Sequence, residues 1–370
     1  MIAIDLFAGV GGLSLGASRA GFSVKAAVEI DKFAIETHAL NFPNAVHLKE
    51  DVGLLTGRGL LDTISESNLD CLIGGPPCQG FSSIGKGEPT DTRNQLYIHF
   101  FRLVNELKPT CFLAENVPGI MNEKYDHIRE EAFSLIKDDY FILKPIRVKA
   151  SEYGAATIRT RIFFIGYRKE LGKNLLNESD FIAPENIPLI RVKDALYGLP
   201  QFIDSEWQLE HQGWQPIVKG KSGYFYDRLW GKIPNGIGDK ESIEKLENNI
   251  VSGFLGTRHS SDVLNRYGSL KFGSMDKISK STRLDPDGFC PTLRAGTGSD
   301  RGSYQAVRPI HPTESRVITP REAARLQGFP DWFRFHSTKW HSFRQIGNSV
   351  SPIVAEQMIL PLARLCECIK

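Results

Sequence analysis

One thiol sits in the stiffest stretch of this sequence, Gly74-Gly75-Pro76-Pro77-Cys78-Gln79-Gly80-Phe81-Ser82. An apolar run over 69–73 feeds into it and reads as a buried strand. Pro76 and Pro77 fix φ and remove two backbone donors, so the chain must leave the strand end along a rigid, extended path. Glycines on either side let backbone or ligand approach closely. A cysteine held this way stands at the carboxyl edge of a strand, where open α/β sheets place their chemistry. The thiolate is then a candidate nucleophile. A tight turn with a structural cysteine is the plainer alternative. Glu115 ends a second apolar run, 110–114, and is followed by Asn116-Val117-Pro118; a solvent-facing strand end is its bland reading. Arg159 and Arg161 alternate at the start of a third apolar run, a spacing that sends both side chains to one face of a strand. Paired arginines on a surface edge strand would look the same.

A second group of residues suits a nucleotide-like ligand. Asp5-Leu6-Phe7-Ala8-Gly9-Val10-Gly11-Gly12-Leu13 reads as strand, glycine-rich turn and helix start. It lacks the GxGxxG spacing of a pyrophosphate site, and the compact loop suits a sulfonium amino acid better. Glu29 ends the next strand, where a carboxylate can accept from both hydroxyls of a ribose. Asp51, after Leu48-Lys49-Glu50, can accept from an adenine amino group. Each carboxylate alone is more often surface than ligand; their order at successive strand ends carries the signal.

These groups need a sheet to position them. Over 1–167, short apolar runs alternate with longer amphipathic ones, giving strands at 2–7, 23–29, 69–74, 110–115, 141–150 and 161–167. Helices are expected at 13–20, 31–41, 95–107 and 125–137, and this alternation specifies an α/β, doubly wound, mainly parallel sheet. The texture changes near Pro184-Glu185-Asn186-Ile187-Pro188 to short irregular segments rich in Gly, Trp and Tyr. Thr319, Pro320 and Glu322 carry the signature of a helix start, and a last helix is expected over 352–368. The expected organisation is therefore 1–188 as catalytic and cofactor domain, 189–335 as a smaller irregular domain with a hinge, and 336–370 returning to the first. With 370 residues the chain is long enough for two cores. It holds no apolar run of about 18 residues and no signal-peptide pattern, so no membrane span is expected. Six cysteines without CxxC spacing suggest reduced thiols in a cytoplasmic enzyme, with no metal site. The net charge of +2 says little, but residues 272–345 hold 12 Lys/Arg against 7 Asp/Glu, mostly arginine, which suits phosphate and guanine contacts. A solvated face would give the same excess.

FAGVGG, Glu29, GGPPCQGFS and Glu115-Asn116-Val117 resemble, in order, the motifs of the cytosine carbon-5 DNA methyltransferases of prokaryotic modification systems. Arg159-Thr160-Arg161 looks like that family's paired-arginine strand. The stretch 321–330 looks like its ninth motif and Gly347-Asn348-Ser349-Val350 like its last. The likeness runs from residue 2 to about 358 and leaves 189–280 uncovered, where such enzymes carry a variable target-recognition domain. Thr157 stands where a Gln is usual and Ser351 where a second Pro is common, from which altered local packing is expected.

The resemblance implies a Rossmann-like, S-adenosylmethionine-dependent methyltransferase acting on double-stranded DNA. Cys78 would add to carbon 6 of cytosine and make carbon 5 nucleophilic. Glu115, its pKa raised by burial, would protonate ring nitrogen 3, and Arg161 would hold the carbonyl. Arg159 would support the loop or Glu115. The base must be flipped out of the duplex, at a cost of a few kcal/mol. The polar stretch 79–94 suits a mobile loop that closes over DNA. Phe7, Ala8, Gly9, Val10, Gly12, Glu29, Ile30, Asp51, Val52, Pro77, Leu96, Asn348, Ser349 and Val350 are expected to line one cofactor pocket. Gln79, Ser82, Asn116, Arg294 and Arg301 are expected on the DNA, the last two within the flexible stretch 294–304. The aromatic and basic residues over 207–230 can stack on bases, or form the small domain's core. A monomer is expected. An RNA methyltransferase on the same fold, a catalytically silent DNA-binding homologue and a dehydrogenase using the glycine turn are the alternatives, and the absence of GxGxxG argues against the last.

Overall fold

In the computed structural model, residues 1–77, 94–295 and 307–369 are described. The first half runs β1 (Ile2–Leu6), α1 (Gly12–Arg19), β2 (Ser23–Val28), α2 (Lys32–Asn41), β3 (Val46–Leu48), α3 (Gly57–Ile64), β4 (Cys71–Gly74), α4 (Asn94–Leu107), β5 (Cys111–Asn116), α5 (Asp126–Ser134), β6 (Tyr140–Ile142), β7 (Ile146–Lys149) and β8 (Thr160–Arg168). The strands form one sheet in the order β3-β2-β1-β4-β5-β8-β6, with β7 also paired to β8. β1 to β5 are mutually parallel, while β8 is antiparallel to β5, β6 and β7. This is the α/β, parallel-dominated sheet expected of a Rossmann-like methyltransferase.

Alternation along the strands divides the core. Ala3, Cys71, Ile73, Cys111 and Leu113 face one side. Ile4, Leu6, Leu72, Phe112 and Ala114 face the other, with Leu60, Phe100, Phe101 and Ile128 of α3, α4 and α5. The expected strand over 141–150 is two strands instead. Pro145 lies in the break and has no N–H for the ladder.

The second half contributes α6 (Val192–Ala195), β9 (Gln215–Pro216), α7 (Tyr226–Trp230), α8 (Lys240–Glu247), β10 (Ile250–Val251), α9 (Ser261–Gly268), α10 (Pro320–Gln327), α11 (Lys339–Asn348) and α12 (Pro352–Ile369). Its short elements build a separate core around Phe225, Leu229, Phe254, Leu326, Phe329 and Trp332, to which Val10, Leu15 and Phe42 of the first half also belong. Of the aromatics over 207–230, Phe225 and Tyr226 are buried in this core, and Trp207, Tyr224 and Trp230 pack against it partly buried. α10 begins as its sequence specifies. Thr319 N–H donates to Glu322 at 2.6 Å, Glu322 N–H donates to Thr319 Oγ1 at 3.3 Å, and Gly328 ends the helix at φ 89°.

α12 returns to the sheet and lies on α1. Gly16 makes the approach possible: a Cβ there would meet the Ala355 Cβ at 2.4 Å and its backbone carbon at 2.6 Å. Among the described residues no helix is long and apolar enough to cross a membrane. Thr157 and Ser351, the two departures from the family pattern, are both buried, and Thr157 bridges to Cys290.

Candidate active site

Strand register brings the candidate groups to one edge. Leu48 pairs with Val28, Val28 with Leu6, Leu6 with Gly74, and Gly74 with Ala114. The residues just past this row are Glu29, Phe7, Gly75 and Glu115. β8 runs the other way, so its start arrives at the same edge: Glu115 pairs with Phe163 and Asn116 with Ile162, two and one residues beyond Arg161. The neighbours β1 and β4 lie where the strand order reverses, which opens a crevice at their carboxyl ends.

The turn after β1 takes left-handed backbone at Phe7 (φ 57°), Gly9 (φ 55°) and Gly11 (φ 98°). Phe7 alone among these carries a side chain against the Cβ penalty, a local strain held by its surroundings. Gly12 lets the turn before α12 lie against α1, since a Cβ there would be 2.2 Å from Ser349 Oγ and 2.4 Å from Val350 O. Glu29 joins two loops: its carboxylate accepts from Gly9 N–H at 3.0 Å and Asp31 N–H at 2.8 Å. Burial pushes its pKa up from the ordinary carboxylate value, opposed by those amides. Asp51 accepts from Gly53 N–H at 2.8 Å and caps a short turn.

These groups surround a cavity of about 430 Å³. It is lined by the glycine turn (Phe7, Ala8, Gly9, Val10, Gly12), by Glu29, Ile30, Asp51 and Val52, and by Pro77, Leu96, Asn348, Ser349 and Val350. Glu115 and Arg161 line the same space. Arg161 Nε is 2.5 Å from Glu115 Oε1, an ion pair in which Oε1 accepts no aligned hydrogen bond, and Arg161 also donates to Thr160 O at 2.8 Å.

Two further candidates hold neighbouring turns. Asn116 is buried at 1% exposure; its amide donates to Pro76 O at 3.3 Å and its Oδ1 accepts from Val117 N–H at 2.8 Å. It ties the proline turn to β5. Arg159 precedes β8 and, among its contacts, donates to the carbonyls of Leu293 (3.1 Å), Gly347 (2.8 Å) and Asn348 (3.3 Å). It is a positioning residue for the Asn348 turn. Cys78, Gln79, Ser82 and Arg301 lie outside the described residues, as do all but the last residue of the expected loop over 79–94 and most of 294–304. Arg294 is exposed, and its backbone packs so closely on Gly347 that a Cβ there would meet it at 2.5 Å.

The sequence reading missed one wall. His341, Arg344 and Gln345 of α11 line the cavity with Asp31 and Phe33. Arg344 pairs with Asp31 at 3.0 Å, the Phe33 and His341 rings lie 4.0 Å apart, and Gln345 donates to Phe33 O and Thr37 Oγ1. The amphipathic run preceding Gly347 was the available signal. A larger cleft, about 630 Å³, lies beside Arg19, Arg228 and Glu356, away from the sheet's carboxyl edge. There Arg228 grips Glu356 at 2.9 and 2.6 Å, a clamp between the two halves of the chain.

The model of the family described as C-5 cytosine-specific DNA methylase matches residues 1–363. The Type II methyltransferase M.XorII of Xanthomonas oryzae pv. oryzae is 41% identical over 96% of this chain and 82% of its own length. M.DdeI of Desulfomicrobium norvegicum is 30% identical over 96% of this chain and 86% of its own. A solved structure of a protein assigned as a DNA modification methyltransferase, encoded within a prophage (E. coli), is 60% identical, covers 99% of both chains and superposes with a TM-score of 0.91. The S. pombe Dnmt2 methyltransferase covers 99% of both chains at 17% identity and TM-score 0.64, a likeness of fold alone.

Proposed function

The chain belongs to the C-5 cytosine-specific DNA methylases and is a DNA (cytosine-5-)-methyltransferase of the restriction-modification type, and from that premise we propose that it methylates carbon 5 of a flipped-out cytosine through a covalent adduct on Cys78. The observation that carries the reading is a single cavity shared by Glu29, Asp51, Glu115 and Arg161, with Pro77, the residue before Cys78, on its rim. The donor set fits S-adenosylmethionine: carboxylates for hydroxyl and amino groups, an apolar lining at Phe7, and at Gly9 open space where a side chain would stand. When bound, the cofactor supplies an electrophilic methyl sulfonium.

The chain's own residues do the rest. The Cys78 thiolate adds to carbon 6 of the base and breaks its aromaticity, which places electron density on carbon 5. Glu115, taking up a proton as its ion pair with Arg161 gives way to the base, donates a hydrogen bond or that proton to ring nitrogen 3 as charge develops there. Arg161 holds the ring carbonyl. After methyl transfer, the carbon-5 proton passes to water, the carbon 6–sulfur bond breaks to release the Cys78 thiolate, and Glu115 takes back the proton of ring nitrogen 3, which restores the ring. Asn116 and Arg159 act at one remove, holding the proline turn and the Asn348 turn. We assign 1–188 and 336–370 to cofactor and catalysis, and 189–335 to target recognition.

Duplex DNA containing 5-fluorocytosine, incubated with labelled cofactor, is expected to give a stable covalent complex, because fluorine cannot leave as the proton does. Cys78→Ala should give none. Equal trapping by Cys78→Ala would remove Cys78 as the nucleophile.

A further inference from the structure

A hairpin over 273–283 follows α9, pairs Met275 with Thr282 and is built to be rigid. Gly273 N–H donates to Arg283 O at 2.8 Å, Arg283 N–H to Ser274 O at 2.9 Å, and Asp276 N–H to Ser281 O at 2.8 Å. At its tip Asp276 is buried at 1% exposure. Its carboxylate accepts from Ser279 N–H and Oγ at 2.7 Å each and pairs with Arg266 Nε at 2.7 Å. Tyr267 Oη reaches Ser279 Oγ at 3.0 Å. At its base Arg283 donates to the carbonyls of Gly268, Leu270 and Pro312. A small core of Tyr267, Ile310 and Val317 supports it.

Asp276 is the only acidic residue over 269–283, and it is buried and paired inward. The surface therefore carries Lys271, Lys277 and Lys280, all exposed, and among the described residues none of the three forms an ion pair. Between them Phe272, Met275 and Ile278 are 53%, 56% and 72% exposed. Exposed apolar side chains are ordinary singly. Here they stand among these cations, on a turn with little ordering entropy left to lose. A duplex matches both features, with phosphates for the ammonium groups and a groove for the aliphatic tip.

We propose that this hairpin is a DNA-contact element that sets Lys277 and Lys280 on backbone phosphates and Ile278 against the groove. The proposal rests on DNA being the substrate.

The test uses the full chain, with direct binding to a short random-sequence duplex and methyl transfer to unmethylated bacterial DNA. The expected result for Lys277→Glu with Lys280→Glu is duplex binding weaker by about tenfold or more at moderate salt. The slope of log affinity against log salt should flatten by about 2, the value for two lost phosphate contacts. Cofactor affinity and kcat at saturating DNA should match the unaltered chain. The paired Lys→Gln variant should show a smaller loss with the same flattening. Ile278→Ser should raise KM for DNA without changing the salt slope. Reversed lysines that leave duplex affinity within twofold and the slope unchanged would overturn the proposal. Because binding is read on the duplex itself, that pattern is distinct from a failure of methyl transfer.

Discussion

Glu29 is the residue whose removal should separate cofactor binding from folding most clearly. Its carboxylate accepts from Gly9 N–H at 3.0 Å and Asp31 N–H at 2.8 Å, so it fixes the turns after β1 and β2 to each other as well as facing the cavity. Hydrogen bonds to a charged group contribute about 1.5–3 kcal/mol each when both partners are buried. Gly9 and Asp31 are only partly buried, so water can replace much of what their amides lose. Glu29→Ala is therefore expected to cost about 1–2 kcal/mol in folding stability, from the lower end of that range. Loss of a charged acceptor for the cofactor's hydroxyls, with loosening of the glycine turn, should weaken S-adenosylmethionine binding by about 1–3 kcal/mol, or roughly 5- to 150-fold in Kd. Glu29→Gln keeps one acceptor oxygen and should fall between. Calorimetric titration of the cofactor, beside a urea unfolding curve, measures both. A Kd within twofold of wild type in a folded Glu29→Ala protein would refute the placement of the ribose at this carboxylate.

Asp5 should give the fold an unusual pH dependence. Burial, with Glu29 nearby and against a hydrogen bond from Ser14, pushes its pKa from the ordinary 3.8 to about 7. The folded state therefore holds this proton more tightly than the unfolded chain. The stabilisation is full below about pH 4 and is lost as pH rises through 7, with a ceiling of about 4 kcal/mol at 1.36 kcal/mol per unit. Asp5→Asn should flatten the urea midpoint between pH 4 and 7 relative to wild type, and parallel curves would rule this out. Exchanging residues 189–280 for the matching stretch of a relative should change which cytosine is methylated and leave cofactor affinity intact, as read by bisulfite sequencing. A folded chimera that keeps the parent's preference would move recognition to 283–308.

The sequence by itself determined the chemistry-bearing edge. Short apolar runs, which read as strands buried on both faces, put Glu29 and Glu115 at strand ends, and parallel pairing then brings those ends to one edge. The glycines of the first turn and the Thr319-Pro320-Glu322 helix start were legible for the same reason, since backbone conformation and capping are decided within a few residues. Tertiary structure alone decided the rest. α11 forms a cavity wall through Arg344 and Gln345, yet its partners Asp31, Phe33 and Thr37 are some three hundred residues away in sequence. Arg159 and Arg161 stand two positions apart, a spacing that sends both to one face of a strand. One pairs with Glu115, while the other is taken up by the carbonyls of Leu293, Gly347 and Asn348, a choice made by which loops the fold carries past the start of β8. Asn116, next to Glu115 in sequence, is tied by its amide to Pro76 forty residues away, a contact that no local pattern announces. Side chains at a sheet edge take their roles from whatever packs there, and long-range packing leaves no local periodicity to read.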